Sequence, residues 1–331
     1  MNYPLFSIII PVYNRPEELN ELLASIDQHL NKLAEIIIVD DGSDNRCDHV
    51  ADKYTKHLDV TYIYQSNSGP GPARNTGAKR AMGKYLIFLD SDCTIPPHYT
   101  GSLTSFLSEN EIAIAGGPDR DHPGFSPIQK AISYAMTSVL TTGGIRGRKK
   151  SADVFYPRSF NMIVDKVHFE KAGGFSDLRF GEDLDLSMKI IKSGGRSALI
   201  PDAWVYHKRR STFRQFFKQV FNSGKARIFL NKRHPGTLKP VHTLPALFTI
   251  YLIFSVLTFF WQPALSVPLI SYLVINVISS LFLSQSLSTS LLSVPAVIIQ
   301  LTGYGSGFLV AIFQNLTGKA ESYGFEKNFY D

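Results

Sequence analysis

Formal charge is absent from a quarter of this chain. Between Lys239 and Lys319 there is no Asp, Glu, Lys or Arg, a run of 79 positions in a protein of 331 residues. A soluble domain of that size needs charged surface, so a buried helical bundle is disfavoured there and lipid is the expected solvent. Cysteine is scarce, with Cys47 and Cys93 alone, which argues against a disulfide framework. No secretory signal pattern opens the sequence, because the apolar run from Phe6 to Pro11 is too short and has the wrong flanks. Neither an internal repeat nor a low-complexity tract is visible. No Gly-Lys-Ser/Thr follows the Gly/Pro-rich stretch 68–77, which excludes a Walker phosphate loop.

The uncharged region holds three apolar stretches, 244–261, 264–283 and 291–314. Each is long enough, or nearly so, to cross ~30 Å of hydrocarbon as a helix. Pro245, Pro263, Pro268 and Pro295 are expected near their ends, where helix starts tolerate proline. Gly303 and Gly307 form a spacing that lets a neighbouring helix, of this chain or of a second copy, approach closely. Directly ahead, residues 208–239 carry ten Lys/Arg and no acid. That bias puts the amino-terminal portion in the cytoplasm and makes the chain a multi-pass protein of the cytoplasmic (inner) membrane. Within the block, Phe213, Phe216, Phe217, Val220 and Phe221 recur at helical spacing, while Arg214, Lys218, Lys225 and Arg227 fall largely outside that stripe. The pattern is that of a basic amphipathic helix in the headgroup plane, the alternative being a surface helix packed on a soluble domain. The net charge of +6 divides into −3 for residues 1–202, +10 for 203–239 and −1 for the tail. The basic character is therefore no nucleic-acid footprint, and its partner is an anionic membrane surface or a lipid phosphate.

The first two hundred residues alternate strand and helix patterns. Strands are expected at Ser7–Pro11, Ile36–Val39, Val60–Gln65 and Tyr85–Leu89, and helices at Pro16–Leu30 and Ala73–Met82. This order predicts an α/β fold with a doubly wound, mainly parallel sheet. Residues 116–127 and 142–153 read as loops, the second as mobile.

Three strands end in polar clusters at the sheet edge where open α/β folds bind ligands. The run Tyr85–Leu89 ends in Asp90-Ser91-Asp92, two carboxylates that suit a divalent cation bridging phosphates, or else form an acidic turn. Strand Ser7–Pro11 leads into Val12-Tyr13-Asn14-Arg15, and Ile36–Val39 into Asp40-Asp41-Gly42-Ser43. Tyr13 can stack on a base and Asp41 can accept from a base N–H, although Asp-Asp-Gly-Ser is also a common turn. The stretch from Ser68 to Gly77 is a stiff loop that opens a helix and presents backbone N–H groups and Arg74. Further on, Gly181-Glu182-Asp183-Leu184-Asp185 starts a helix in which Glu182 and Asp185 share a side and Asp183 points elsewhere. Taken alone, that cluster also suits a helix dipole.

Taken together, these segments resemble family-2 glycosyltransferases of the GT-A fold. The residues that carry the likeness run from Ser7 to Asn14, Val39 to Ser43, Gly71 to Gly77, Phe88 to Asp92, Gly173 to Phe175 and Gly181 to Leu186, in family order. The resemblance covers about residues 5–207 and implies a catalytic domain over 1–207; with the charge and hydropathy pattern this leaves a basic juxtamembrane segment over 208–239, a membrane region over 240–318 and a tail over 319–331. It implies a nucleotide-sugar donor, with UDP favoured, held by Pro11, Tyr13, Asn14, Asp41, Arg74, Asp90 and Ser91. Asp90 and Asp92 would hold Mg²⁺ or Mn²⁺, with His207 as a further ligand, and transfer would invert the anomeric carbon. Asp183 is the expected general base, with Glu182 on the acceptor side. Processive members carry Gln-x-x-Arg-Trp, and this chain has none; its nearest counterpart starts at Gln215. Single-sugar transfer to a lipid-linked acceptor is therefore expected. Competing readings are a polyprenyl-phosphate monosaccharide synthase, a nucleotidyltransferase and a membrane scaffold that retains an inactive domain.

Overall fold

Almost every residue of Phe6–Val12 (β1) and Ala34–Asp40 (β2) is buried, and the two strands pair in parallel. Strand side chains alternate between faces, so Ile8, Ile10, Ile36 and Ile38 join one apolar cluster while Ile9, Ile37 and Val39 join another. With both faces covered, the strands read as unbroken apolar runs. The computed structural model describes residues 4–29, 34–143 and 154–318. Leu30, most of the loop expected over 142–153 and the tail expected over 319–331 lie outside the described residues.

Between β1 and β2 runs α1 (Pro16–His29), with Glu17 and Glu18 in its first turn and Leu19, Leu22, Leu23 and Ile26 buried on one face. There follow α2 (Asp48–Ala51), β3 (Val60–Tyr64), α3 (Pro70–Arg80), β4 (Tyr85–Leu89), β5 (Cys93–Thr94), α4 (Tyr99–Glu109), β6 (Ile114–Gly116) and β7 (Asp119–Arg120). Then come α5 (Pro127–Thr137), α6 (Val139–Thr142), β8 (Asn161–Asp165), α7 (Lys166–Lys171), α8 (Glu182–Lys192), β9 (Ser197–Leu199) and β10 (Val205–His207). The main sheet has the order β3-β2-β1-β4-β8-β6-β9. Its β3-β2-β1-β4 half is parallel, and β8 lies antiparallel to both β4 and β6. A small second sheet, β5-β10-β7, stands beside the Asp-Ser-Asp turn.

Helix α3 starts at Pro70, three residues earlier than the sequence pattern suggests. Part of the expected Gly/Pro loop is thus the first turn of the helix, because proline fits a helix start. Gly77 faces β1, where a Cβ would run into Ile9 and Val39. Only a glycine lets α3 lie this close to the sheet.

The described chain divides into two compact units, 4–120 with 154–207 and 121–143 with 208–318. Residues 121–143, inside the span expected for the catalytic domain, pack with the C-terminal helices instead. The second unit adds α9 (Phe213–Arg233), α10 (Leu244–Thr258), α11 (Val267–Ser284) and α12 (Leu287–Leu316). Its last three helices, two of them extended by 3-10 turns, are long and apolar enough to cross a membrane. Phe260, Phe282 and Leu316 are each at least 80% exposed, as lipid-facing residues would be. Pro295 does not sit at a helix end: it lies within α12, whose N-cap is Ser286, accepting from the Thr289 N–H. The expected helix start at residue 291 is a turn too late, because the polar Leu287–Ser290 segment is helical too.

Helix α9 packs extensively along α12. At Gly303 a Cβ would strike Val220, and at Gly307 it would strike the Phe221 carbonyl. The small-residue face of α12 is therefore filled by α9 of the same chain. Helix α5, which the periodicity reading passes over, begins with a capping box of Ser126 and Gln129 and buries Ala131–Met136. Its Tyr134 hydroxyl donates to the Asn276 side-chain oxygen on α11 at 3.2 Å.

Candidate active site

The carboxyl ends of β1, β2 and β4 lie side by side, and each brings a different polar group. After β2, two adjacent aspartates take separate roles. Asp40 is fully buried and accepts from Ser43 N–H (2.9 Å), Cys47 N–H (3.0 Å) and the Tyr62 hydroxyl (2.6 Å). Burial works against its charge, but these donors win and hold its carboxyl below the usual range. Asp41 accepts from Gln65 Nε2 (2.7 Å), Ser68 N–H (3.0 Å) and Gly69 N–H (2.7 Å), which ties it to the start of α3. Here burial outweighs the donors, and the carboxyl is raised.

After β1, Tyr13 is exposed and Asn14 adopts a left-handed backbone with φ 51°. Ser43 Oγ accepts from Asn14 N–H at 2.8 Å, while the Asn14 side chain donates to Asp44 (3.2 Å) and accepts from its N–H (2.8 Å). Asparagine tolerates this conformation better than most residues. The next residue, Arg15, reaches across to the Asp-Ser-Asp turn.

That turn serves two clusters. Asp90 accepts from Arg74 Nη2 at 2.7 Å, and the same guanidinium donates through Nη1 to Glu182 at 3.0 Å. Arg74 is almost wholly buried, so it acts as a rivet between the β4 edge and the start of α8. Asp92 faces the other way, with Oδ2 2.9 Å from Arg15 Nη1 and Oδ1 3.3 Å from His207 Nε2. Ser91 lies buried between the two acids. His207 stacks on Phe160 with ring centroids 4.8 Å apart, and its Nδ1 stands 3.9 Å from Asp119. It comes from β10, in antiparallel register with Cys93 of β5. Ligand atoms of Asp92, Cys93 and His207 all lie within 4.8 Å of one another. Burial first, then the charges of Asp92 and Asp90, push the Cys93 thiol well above its usual pKa, so it is held as a neutral thiol. A carboxylate beside an imidazole is a donor set that fits Mg²⁺ or, better, Mn²⁺.

Gly181, at φ 84°, delivers the chain into α8 in a conformation that glycine adopts without steric cost. Asp183 Oδ2 sits 3.1 Å from Arg158 Nε, and its Oδ1 accepts the Leu184 N–H at 2.7 Å. Glu182 is pushed up to about 7 by burial, then by Asp183, with Arg74 only partly offsetting them. Asp185 is fully buried and pairs with Lys189 at 2.8 Å.

The geometry thus joins Arg74, Asp90 and Glu182 in one cluster, and Asp92 and His207 in another. Arg74 is engaged by two acids, and Asp41 by its own chain. Pro11 is held in the sheet opposite Val39. Sequence reasoning missed Arg15, Arg158 and Cys93. Arg15 and Cys93 each follow directly on a recognised motif and were within reach of it. Arg158 lies in an irregular segment with no pattern of its own.

Comparison with known proteins bears on the family and the fold. Among curated relatives, an uncharacterised glycosyltransferase EpsJ of Bacillus subtilis is 27% identical over 62% of this chain and 61% of its own length. The O-antigen chain rhamnosyltransferase WbaN of Salmonella anatum is 24% identical over 67% of this chain and 71% of its own. A pre-mycofactocin glycosyltransferase of Mycobacterium tuberculosis is 27% identical over 71% of this chain and 49% of its own. The chain spans roughly half to three-fifths of the first curated relatives it matches. Among solved structures, the Pyrobaculum calidifontis mannosyltransferase PcManGT, in complex with GDP-Man and Mn²⁺, superposes with a TM-score of 0.58 at 17% identity, covering 97% of this chain and 89% of that one. Residues 1–349 of Staphylococcus aureus TarS, in complex with UDP-GlcNAc, give a TM-score of 0.51 at 19% identity over 95% and 92%. At such identities these two speak for the fold. The profile described as glycosyl transferase family 2 matches residues 7–172, half of the sequence and nearly all the strands that build this site, and on that match the chain belongs to glycosyl transferase family 2.

Proposed function

We propose that the protein is a membrane-anchored, metal-dependent inverting glycosyltransferase. In this reading it moves one sugar from a nucleotide-sugar, UDP-linked by preference, to a lipid-linked acceptor. One observation carries it: the Asp92–His207 pair and the acid-bearing start of α8 flank the same Asp-Ser-Asp turn, in a chain that continues into three apolar helices.

The nucleoside lies against Tyr13 and the β1 and β2 ends, within reach of Asn14 and Asp41. Asp92 and His207 would hold the divalent cation, with Asp90 joining them if it leaves Arg74, and Ser91 packs between the two acids. When bound, the cation would neutralise charge developing on the departing phosphate oxygen. Asp183 takes the acceptor proton on the opposite face of the sugar. Arg158 keeps its carboxylate oriented, and Glu182 borders the acceptor side. Arg74 ties the donor-side Asp90 to the acceptor-side Glu182, so the two halves keep one spacing. The basic α9 and the three apolar helices anchor the chain at an anionic bilayer surface, with the amino-terminal portion in the cytoplasm.

Arg158 favours one second reading. A base already engaged by a guanidinium suits an acceptor that arrives as a phosphate and needs little deprotonation, as in a polyprenyl-phosphate monosaccharide synthase. The test is a panel of UDP-, GDP- and dTDP-sugars with Mn²⁺ and the full chain in bilayers, scored for nucleoside diphosphate release. Release of pyrophosphate would instead mark a nucleotidyltransferase. Equal use of water-soluble and lipid-linked acceptors would refute the lipid assignment.

A further inference from the structure

Asp92 is the only carboxylate of the Asp-Ser-Asp turn whose oxygens both face cationic or cation-capable side chains among the described contacts. Oδ2 is bonded by Arg15 at 2.9 Å and Oδ1 faces His207 at 3.3 Å. A divalent cation coming to Asp92 therefore meets a guanidinium already on its ligand. We propose that Arg15 competes with the cation for Asp92 and passes to the diphosphate of the donor when cation and nucleotide bind together. The inference rests on the metal-dependent transferase reading above and assigns Arg15 a part in it.

The backbone at Arg15 cannot supply the movement. Asn14, in its left-handed conformation, is pinned to Ser43 and Asp44, and the Arg15 carbonyl accepts the Leu19 N–H at 3.1 Å as α1 begins. The side chain can move, being 38% exposed while the Asp92 side chain is only 10% exposed. Its charge would not be stranded on leaving, because Glu18 and Asp90 also lie within its field. A planar guanidinium matches two phosphate oxygens as well as it matches a carboxylate.

Two consequences follow. A cation binding alone must break the Arg15–Asp92 pair without replacement, which weakens it. A cation binding with a nucleoside diphosphate lets Arg15 exchange one anion for another, so each ligand strengthens the other by the same factor. Arg15 is thus a positioning residue that couples the two ligands.

The experiment measures Mn²⁺ binding to the full chain in detergent by the EPR signal of the free ion, with and without UDP, and with GDP run alongside. Wild type is expected to bind Mn²⁺ weakly alone and on the order of tenfold more tightly with the nucleotide. Arg15→Gln is expected to bind Mn²⁺ alone several-fold more tightly than wild type and to gain little from nucleotide. Arg15→Lys, which keeps the charge, should stay close to wild type in the absence of nucleotide. Equal affinities of wild type and Arg15→Gln for Mn²⁺ alone would overturn the competition. An undiminished nucleotide effect in Arg15→Gln would overturn the transfer to phosphate. Binding to neither protein in any arm would overturn the metal-dependent reading and this inference with it. Thermal unfolding of each variant checks that the fold is kept.

Discussion

The two units handle charge in opposite ways. In the first, buried charges meet opposite charges or hydrogen-bond donors: Arg74 lies between Asp90 and Glu182, Asp183 meets Arg158, Asp185 meets Lys189, and Asp40 and Asp41 are held by neutral donors. In the second, the described residues include eleven Lys and Arg but a single acid, Asp121. Asp121 accepts from the Ser133 hydroxyl and lies near the buried Arg209. Elsewhere that unit buries neutral polar groups, such as Asn276, Ser290 and Ser293. The contrast separates two solvents. Paired interior charge is costly and survives where it organises a site. Unbalanced positive charge, placed just ahead of apolar helices, is what the proposed anchoring at an anionic surface would use.

The largest expected effect comes from the paired side. Asp183→Asn should lower kcat about 10²–10⁴-fold if the acceptor is a hydroxyl. A change of only a few-fold in a single-turnover assay would turn the reading to a phosphate acceptor. Next, Arg74→Ala leaves Asp90 and Glu182 uncompensated at the centre of the rivet. Loss of one partner of a buried pair costs about 3–5 kcal/mol, to be read as a lowered denaturant midpoint. On the other side, Gly307→Leu forces α9 away from α12 and should cost about 1–3 kcal/mol. An unchanged melting temperature in detergent would break the account of that helix pair. Lys232 and Arg233 lie exposed at the end of α9. Changing both to Gln should weaken the preference of the bilayer-reconstituted protein for anionic over neutral lipid by about 1 kcal/mol per residue, read in a lipid-competition assay.

The subtlest test compares pH profiles. Glu182 is raised from 4.5 to about 7, chiefly by burial. A carboxyl raised in the folded state adds stability that is fully present below pH 4.5 and is lost as pH rises through 7. Wild type should therefore lose melting temperature relative to Glu182→Gln between those values, and the two profiles should run parallel above them. Parallel profiles throughout would show that Glu182 is not held protonated.

The parallel half of the first unit was legible because its strands are covered on both faces and so read as plain apolar runs. Tyr85–Leu89 is recovered to the residue, and α1 over its described length. The candidate acids Asp41, Asp90 and Asp92 could be picked out because they follow strand ends, where a sheet edge gathers them, and Glu182 and Asp183 because they open a helix. Their partners were harder to read. Arg158 stands 25 residues from Asp183, and nothing local marks it. The identity of the acids' counter-ions is a long-range property of the fold. Helix α5 escaped for a related reason: its short apolar face is completed by α9, α11 and α12, all far along the chain.

That distance bears on how the protein is made. Tyr134 finds Asn276 only after 142 further residues have been synthesised. At ~5–20 residues per second, the nascent chain carries α5 without its partners for on the order of ten seconds. Until α11 and α12 are made, α9 alone of the later helices can cover Ile132, Tyr134 and Met136. A shortened protein ending at residue 239 would lack α11 and α12 permanently. Such a fragment should aggregate even though every described residue of the main sheet is present. The apolar helices, proposed above as an anchor, are thus also part of what lets the chain finish folding.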